Sequence, residues 1–378
     1  MIRRAAVAAS IVAVIACQVA ASHTEQALTP PPPVAREFRG VWVTPLEDAG
    51  MRDWPSAPGL SPDSQRTELR ALLDRAQAIG LNAILLHVRI AGDAMYPTPL
   101  APWSAYLTGK SGEAPRPAYD PLAYAVAEAH ARGIQLHAWF NPFRAVYPGA
   151  RGAMARSHVT RTHPDWIRHY GAQTWIDPGI PAARALVLAT ILDVVRRYDI
   201  DGVHIDDYFY PYQETHTVTE HVHGRRVHVR RVIDFPDDAS WKRYGKRSGF
   251  ATRAAWRRAN IDDFVESLYD SVKRAKPAVA VGISPFGIWR PGSPPGITGL
   301  DAYAELYADS RSWLQHGWVD YLAPQLYWPM DGAEHRFTAL DAWWHTQNPL
   351  GRHVWPGLYT SLAANGRSEE HTSELQSR

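Results

Sequence analysis

Seven short apolar runs with strand character alternate with helical stripes between residues 37 and 358, and this alternation limits the fold more than any other feature of the chain. Residues 37–44 read as the first strand. Ser61 and Pro62 supply a helix cap and a first-turn proline. Leu69, Leu72, Leu73, Ala76 and Ile79 then recur on one helical face, and Gly80 stops the helix. Strand two is 82–89. A helix opens at Asp120-Pro121, stops at Gly133 and leads into strand three, 134–141. The series continues with helix 183–198, strand 202–208, helix 251–276, strand 279–285, helix 303–316, strand 319–327, helix 337–345 and strand 353–358. Strands separated by helices imply parallel βαβ units. Seven such units fit a TIM (β/α)8 barrel lacking its last strand. A doubly wound open sheet is the alternative, weakened because no glycine-rich phosphate loop follows strand one. The length of 378 residues suits one barrel with insertions, and 46% hydrophobic residues can fill its core. Insertions at 91–119 and 213–250 both leave C-terminal strand ends, where barrel enzymes build their sites. The second has His223-Gly224 between alternating runs, the pattern of a hairpin.

Both ends fall outside this pattern. Arg3 and Arg4 precede an apolar stretch too short to span a bilayer, so residues 1–21 read as a signal peptide. Val14-Ile15-Ala16-Cys17 resembles a lipobox, and Cys17 is the expected lipidation site. An ordinary signal peptide cut near Ala20 or Ala21 is the other reading. Gln18 stands where aspartate would favour retention in the inner membrane. Outer-membrane attachment facing the periplasm, or otherwise secretion, is therefore expected. Residues 22–36, with Pro30–Pro33, form a stiff tether. Residues 367–378 (RSEEHTSELQSR) resemble a translated sequencing adapter and are set outside the fold, so the natural protein is expected to continue past Gly366.

Period-two alternation assigns faces. In strand four, His204, Asp206 and Tyr208 share one face, and Val203, Ile205 and Asp207 share the other. The helix side needs the aliphatics, so Asp206 points into the barrel mouth and Asp207 turns into the loop. Adjacent carboxylates repel, and one is expected to hold its proton near neutral pH, which suits glycoside chemistry. A purely structural, paired aspartate is the competing account. His87 with Arg89, and His137 with Trp139 and Asn141, face inward on strands two and three. His87, His137 and His204 could then form one layer able to hold a metal, although a hydrogen-bonded polar layer is the commoner arrangement. The 216–228 histidine run reads as a solvated hairpin face. Further mouth candidates are Asp53, Asp93, Arg144, Ser284, Gln325, Tyr327 and Trp328. Trp42, Trp54, Trp103, Trp139, Trp289 and Trp328, from a total of 15 tryptophans, lie at or near strand ends, where flat rings suit sugar faces.

Other chemistries find little support. A net charge of +2 argues against a nucleic-acid binder. The one cysteine lies in the leader, which excludes thiol catalysis, a disulfide framework and a cysteine zinc site. No nucleophile elbow, Walker loop or H-E-x-x-H motif occurs, and no cofactor is implied.

Several segments together carry a resemblance. They are Arg39-Gly40-Val41-Trp42, Asp53-Trp54-Pro55-Ser56, Val88-Arg89 with Gly92-Asp93-Ala94-Met95-Tyr96, and His137-Ala138-Trp139-Phe140-Asn141-Pro142. The others are the run from Asp201 through His204, Asp206 and Asp207 to Pro211, Trp256-Arg257-Arg258 with Asn260, the run from Gly282 to Gly287, and the run from Asp320 to Trp328. In this order they resemble the glycosyl-hydrolase-like 10 family over residues 37–366. The resemblance implies a barrel glycosidase. Lipoprotein members of that family include a divisome-localised enzyme acting on peptide-stripped peptidoglycan strands. The chain departs from the family pattern at residues 44–50, which leaves Glu47 and Asp48 weaker candidates than Asp206.

The resulting expectation is a lipid-anchored glycoside hydrolase of the cell envelope, acting on peptidoglycan glycan or a related amino-sugar polymer. Asp206 and Asp207 are its catalytic pair. Arg89, Asp93, Trp139, Asn141, Tyr208, Arg258, Gln325, Tyr327 and Trp328 are its substrate-binding residues. A non-catalytic glycan-binding lipoprotein and a metal-dependent amidohydrolase are the alternatives.

Overall fold

The computed structural model describes residues 37–47, 52–150, 152–222, 225–330, 332 and 334–359. The leader with Cys17, the tether, Asp48, the hairpin turn His223-Gly224 and the 367–378 tail lie outside the described residues. Seven parallel strands form one sheet. They are β1 (Gly40–Val43), β2 (Ala83–Arg89), β3 (Gln135–Phe140), β4 (Gly202–Ile205), β5 (Ala280–Ile283), β6 (Tyr321–Leu322) and β7 (His353–Val354). Each bonds to the next in chain order, as in a TIM barrel. Across the seam between β7 and β1, Phe38 stacks on Trp355 with ring centroids 4.2 Å and planes 3° apart.

The helices α1 (Pro62–Ala78), α2 (Pro121–His130), α3 (Pro181–Arg197), α4 (Arg253–Ala275), α5 (Ser310–His316) and α6 (Phe337–Thr346) form the outer layer. The local signals act as their chemistry requires. The Ser61 side chain accepts the Ser64 amide at 3.1 Å, Asp120 accepts those of Leu122 and Ala123, and Gly80 leaves α1 with φ +80°. Leu69 and Leu73 of α1, Val187 and Ile191 of α3, and Phe264, Leu268 and Val272 of α4 are buried. They belong to one core with Ile84, Leu86, Val88, Leu136, Val203, Ile205, Val281 and Ile283 from the strands. Burying this apolar layer is the main stabilising term.

Four of the strands end earlier than the sequence pattern predicts, and prolines are the reason. Pro142, Pro285, Pro324 and Pro356 stand two residues past the ends of β3, β5, β6 and β7. The last regular donors are the amides just before them, such as Ser284 to Ile205 O and Ala323 to Ile283 O, both 2.8 Å. A proline cannot donate the next ladder bond. Pairing resumes as single bridges at Phe286–Gln325 and Gln325–Gly357.

Two further differences appear. The single helix expected over 303–316 is broken. Ala302–Glu305 ends early, Tyr307 takes φ +55°, and the Asp309 side chain caps α5 by accepting the Ser312 amide. A three-stranded antiparallel sheet, Arg144–Val146, Gln173–Ile176 and Ile167–Tyr170, lies between β3 and α3, where the sequence suggested no strands. The 213–250 insertion forms the expected ribbon, Thr215–Val222 against Arg225–Val232.

Candidate active site

Asp206 and Asp207 follow the last residue of β4 and are 6% and 3% exposed. Asn141, one residue past β3, donates its side-chain amide to Asp206 Oδ2, while its Oδ1 accepts from Arg144 Nη1. The asparagine thus links a cation to an anion. The Tyr208 amide adds a 3.3 Å bond to Asp206 Oδ1. The Arg144 guanidinium lies over the Tyr208 ring at 4.2 Å, and 5.3 Å from the centre of the Tyr147 ring. Asp207 Oδ2 accepts the Tyr212 hydroxyl, and Gln325, whose Nε2 also donates to Ser284 O at 3.2 Å, is hydrogen-bonded to the same carboxylate.

Burial raises both carboxylates above the usual range. Asp206 is pushed up to about 7, first by desolvation and then by the Asp207 charge, against the pull of Arg144, Asn141 and the Tyr208 amide. For Asp207 desolvation is opposed by Tyr212, its own backbone amide, Gln325 and Arg144. The pair can therefore offer one acidic proton and one negative charge near neutral pH. Burial raises the Tyr327 phenol, and the charges of Asp207 and Asp206 add to the rise.

Below the mouth the histidines divide into two groups. Trp42 Nε1 donates to His204 Nε2 at 3.0 Å. An indole N–H can only donate, so a neutral His204 carries its proton on Nδ1 and gives it to the Tyr321 hydroxyl at 2.9 Å. Tyr321 then donates to His137 Nδ1, also at 2.9 Å. Burial lowers both imidazoles, His137 to about 4. His87 stands apart, with Nδ1 on Thr44 Oγ1 at 2.9 Å and its ring stacked on Trp139 at 3.9 Å. Trp139 presents its edge to His204 and separates the two groups. The single layer expected from alternation is thus divided, because a large indole occupies the level shared by His87 and His204. Among the described residues no three His, Cys, Asp or Glu side chains gather as an ion site.

The other expected site residues separate by position. Asn141, Tyr208, Gln325 and Tyr327 surround the carboxylates. Arg89 is buried and its Nη1 reaches the Asp93 carbonyl at 3.4 Å. Asp93 Oδ1 accepts the amides of Ile90 and Ala91, which fixes the loop after β2. This loop helps to line a cavity of about 540 Å³ with Arg52, Tyr106, Tyr147 and His158. Arg258 has its observed contacts elsewhere than on the carboxylates. It lies on α4, with its guanidinium 4.0 Å from the Tyr303 ring centre and its Nη1 directed to the Tyr303 carbonyl. Trp328 is 5% exposed, edge-on to Phe286 and stacked on His335. Trp54 (1% exposed) donates to Gln65 O, and Trp289 donates to Asp309 and stacks on Trp343. Asp53 clips its own loop by accepting the Thr44 amide at 3.0 Å. Tyr212, and Tyr321 as the link between His204 and His137, are functional candidates that sequence reasoning passed over. The Asp207-to-Tyr212 spacing across Pro211 was the available signal for the first. The larger cavity, about 660 Å³, opens at the other end of the barrel around Phe38, Gln135, Asp201 and Lys276, on the face where β3 begins.

A parallel barrel with two buried carboxylates at the C-terminal end of its fourth strand has the layout of the barrel glycoside hydrolases. The chain belongs to the glycosyl hydrolase-like 10 family, whose model matches residues 37–366. It is 41% identical over 318 residues to the glycosyl hydrolase YngK of Bacillus subtilis, a match covering 82% of this chain and 58% of YngK. It is 35% identical over 372 residues to the glycosyl hydrolase DigH of Escherichia coli K12, covering 91% of this chain and 79% of DigH. Among solved structures, the glycoside hydrolase domain of PgaB (BpsB) from Bordetella bronchiseptica shares the fold. Its TM-score is 0.52 at 14% identity, with 90% of this chain and 99% of that domain covered.

Proposed function

We propose that the protein is an envelope glycoside hydrolase that cleaves peptidoglycan strands stripped of their peptides. The observation that carries this reading is the buried Asp206–Asp207 pair, with Asp206 pushed up to about 7. Asp206 then gives its proton to the glycosidic oxygen as the C1–O bond breaks. The acetamido oxygen of the same sugar closes on C1, and Asp207, fixed by Tyr212 and Gln325, accepts the acetamido N–H. Water opens the resulting ring and returns a proton to Asp206, so the sum is addition of one water. Asn141 and Arg144 hold Asp206 in place throughout.

Intact and peptide-stripped peptidoglycan, digested by the full-length protein and analysed by mass spectrometry, test the reading. New reducing ends on stripped strands, lost in Asp206→Asn, support it. Binding without new reducing ends would instead identify a glycan-binding protein. Attachment through Cys17 belongs to the same proposal and is supported by the Val14-Ile15-Ala16-Cys17 leader. Labelled palmitate should enter the wild-type protein and not Cys17→Ala, and equal labelling would remove the anchor.

A further inference from the structure

The ribbon that leaves the catalytic mouth carries a surface the proposed reaction does not use. Each strand has eight residues, a length of about 26 Å. All of Arg225–Val232 except Val229 is exposed. Alternation sorts the side chains. On one face Val218 lies opposite Val229 and Glu220 opposite Val227, and Glu220 pairs with Arg231. On the other face Thr217 lies opposite Arg230, Thr219 opposite His228 and His221 opposite Arg226. This second face presents guanidinium, imidazole and hydroxyl groups and no carboxylate. Arg230 bonds Thr215 Oγ1 at 2.9 Å, and Thr219 Oγ1 meets His228 Nδ1 at 3.2 Å. Arg226 has no carboxylate partner among the described residues.

The ribbon's base is fixed to the site. Tyr170 OH donates to Ile233 O at 2.9 Å and accepts the Glu214 amide at 3.0 Å. Tyr212, two residues before Glu214, holds Asp207. A two-stranded ribbon with a solvated polar face gains little stability alone.

We infer that the Arg226–Arg230 face docks a glycan strand bearing free carboxylates and guides it into the mouth. The inference rests on the proposed reaction. Removing the peptide from a peptidoglycan strand frees the lactyl carboxylate on every second sugar. Arg226 and Arg230 stand about 13 Å apart along one face, a spacing on the scale of a disaccharide. The threonines between them match sugar hydroxyls. Apart from Val232 at its base, the face has no apolar side chain to enter a lipid layer, which favours a glycan over a membrane.

The test is the double variant Arg226→Gln/Arg230→Gln in the full-length protein. KM and kcat are measured on stripped strands and on the same strands with carboxylates converted to methylamides, and affinity is read by fluorescence anisotropy on labelled fragments. We expect KM on stripped strands to rise roughly fivefold with kcat unchanged. Affinity falls by the same factor, and both effects vanish on methylamide strands and at high salt. Unchanged KM and affinity, or equal losses on methylamide strands, overturn the inference. So does loss of binding to anionic phospholipid vesicles with glycan affinity intact. Wild type that binds stripped strands through the ribbon yet makes no new ends supports the docking face and removes the hydrolase reading. Wild type that cleaves, with a variant unaffected, removes the docking face alone.

Discussion

Asp206 shows how one side chain's surroundings set its chemistry. Its neutral form is favoured by burial and by the neighbouring charge. As the proton donor it should give kcat a basic limb near pH 7, with activity lost as pH rises. Asp206→Asn should lower kcat by roughly 10²–10⁴-fold while the protein stays folded, as circular dichroism would check. The stability effect has a definite sign. A carboxyl raised by folding contributes stability that is present below its unfolded pKa and lost as pH rises through about 7. Between pH 5 and 8 the wild type should therefore weaken relative to Asp206→Asn, by about 2 kcal/mol at the upper end. Thermal unfolding at both pH values measures this, and Asp262, also raised to about 7, cancels in the difference. Tyr212→Phe removes a bond that lowers Asp207, so its carboxyl rises and the acidic limb of the pH profile moves upward. At this scale the sequence made Asp206, Asp207, Asn141 and Gln325 legible, because alternation and strand ends locate them. It did not anticipate the stacking of Arg258 on Tyr303, because a helical pattern does not show which aromatic ring an arginine will meet.

At the scale of elements, the order and spacing of strands and helices were readable because each βαβ unit repeats two periodicities. The strand ends were obscured because the apolar pattern runs on past Pro285, Pro324 and Pro356, where the ladder loses its donors. The small sheet at 144–176 was hidden because its strands have only three or four residues and no long alternation. Inside the barrel, Gly282 allows Tyr321 to lie flat against β5, since an added Cβ would run into the phenol ring. Gly282→Ala should displace Tyr321, break the His204–Tyr321–His137 chain and cost about 1–3 kcal/mol, as denaturant unfolding would show.

For the molecule as a whole, the second insertion is held to the barrel through Arg257 of α4. Its buried guanidinium bonds Asp237 at 2.7 and 2.8 Å, Asp234 at 2.8 Å and the Phe235 carbonyl at 3.0 Å. Arg257→Ala would leave Asp237, which is 0% exposed, without its main cationic partner. A loss of about 3–5 kcal/mol is expected, with faster protease cutting between residues 225 and 250 than in the wild type. The prolines past the strand ends have a wider consequence. Because the regular ladder is interrupted at an imino ring and resumes beyond it only as the single bridges Phe286–Gln325 and Gln325–Gly357, what is added further out puts little shear on the ladder beneath. Loops above such a boundary can lengthen or shorten while the strands keep their register. A mouth built in this way can change what it accepts without disturbing what holds it up.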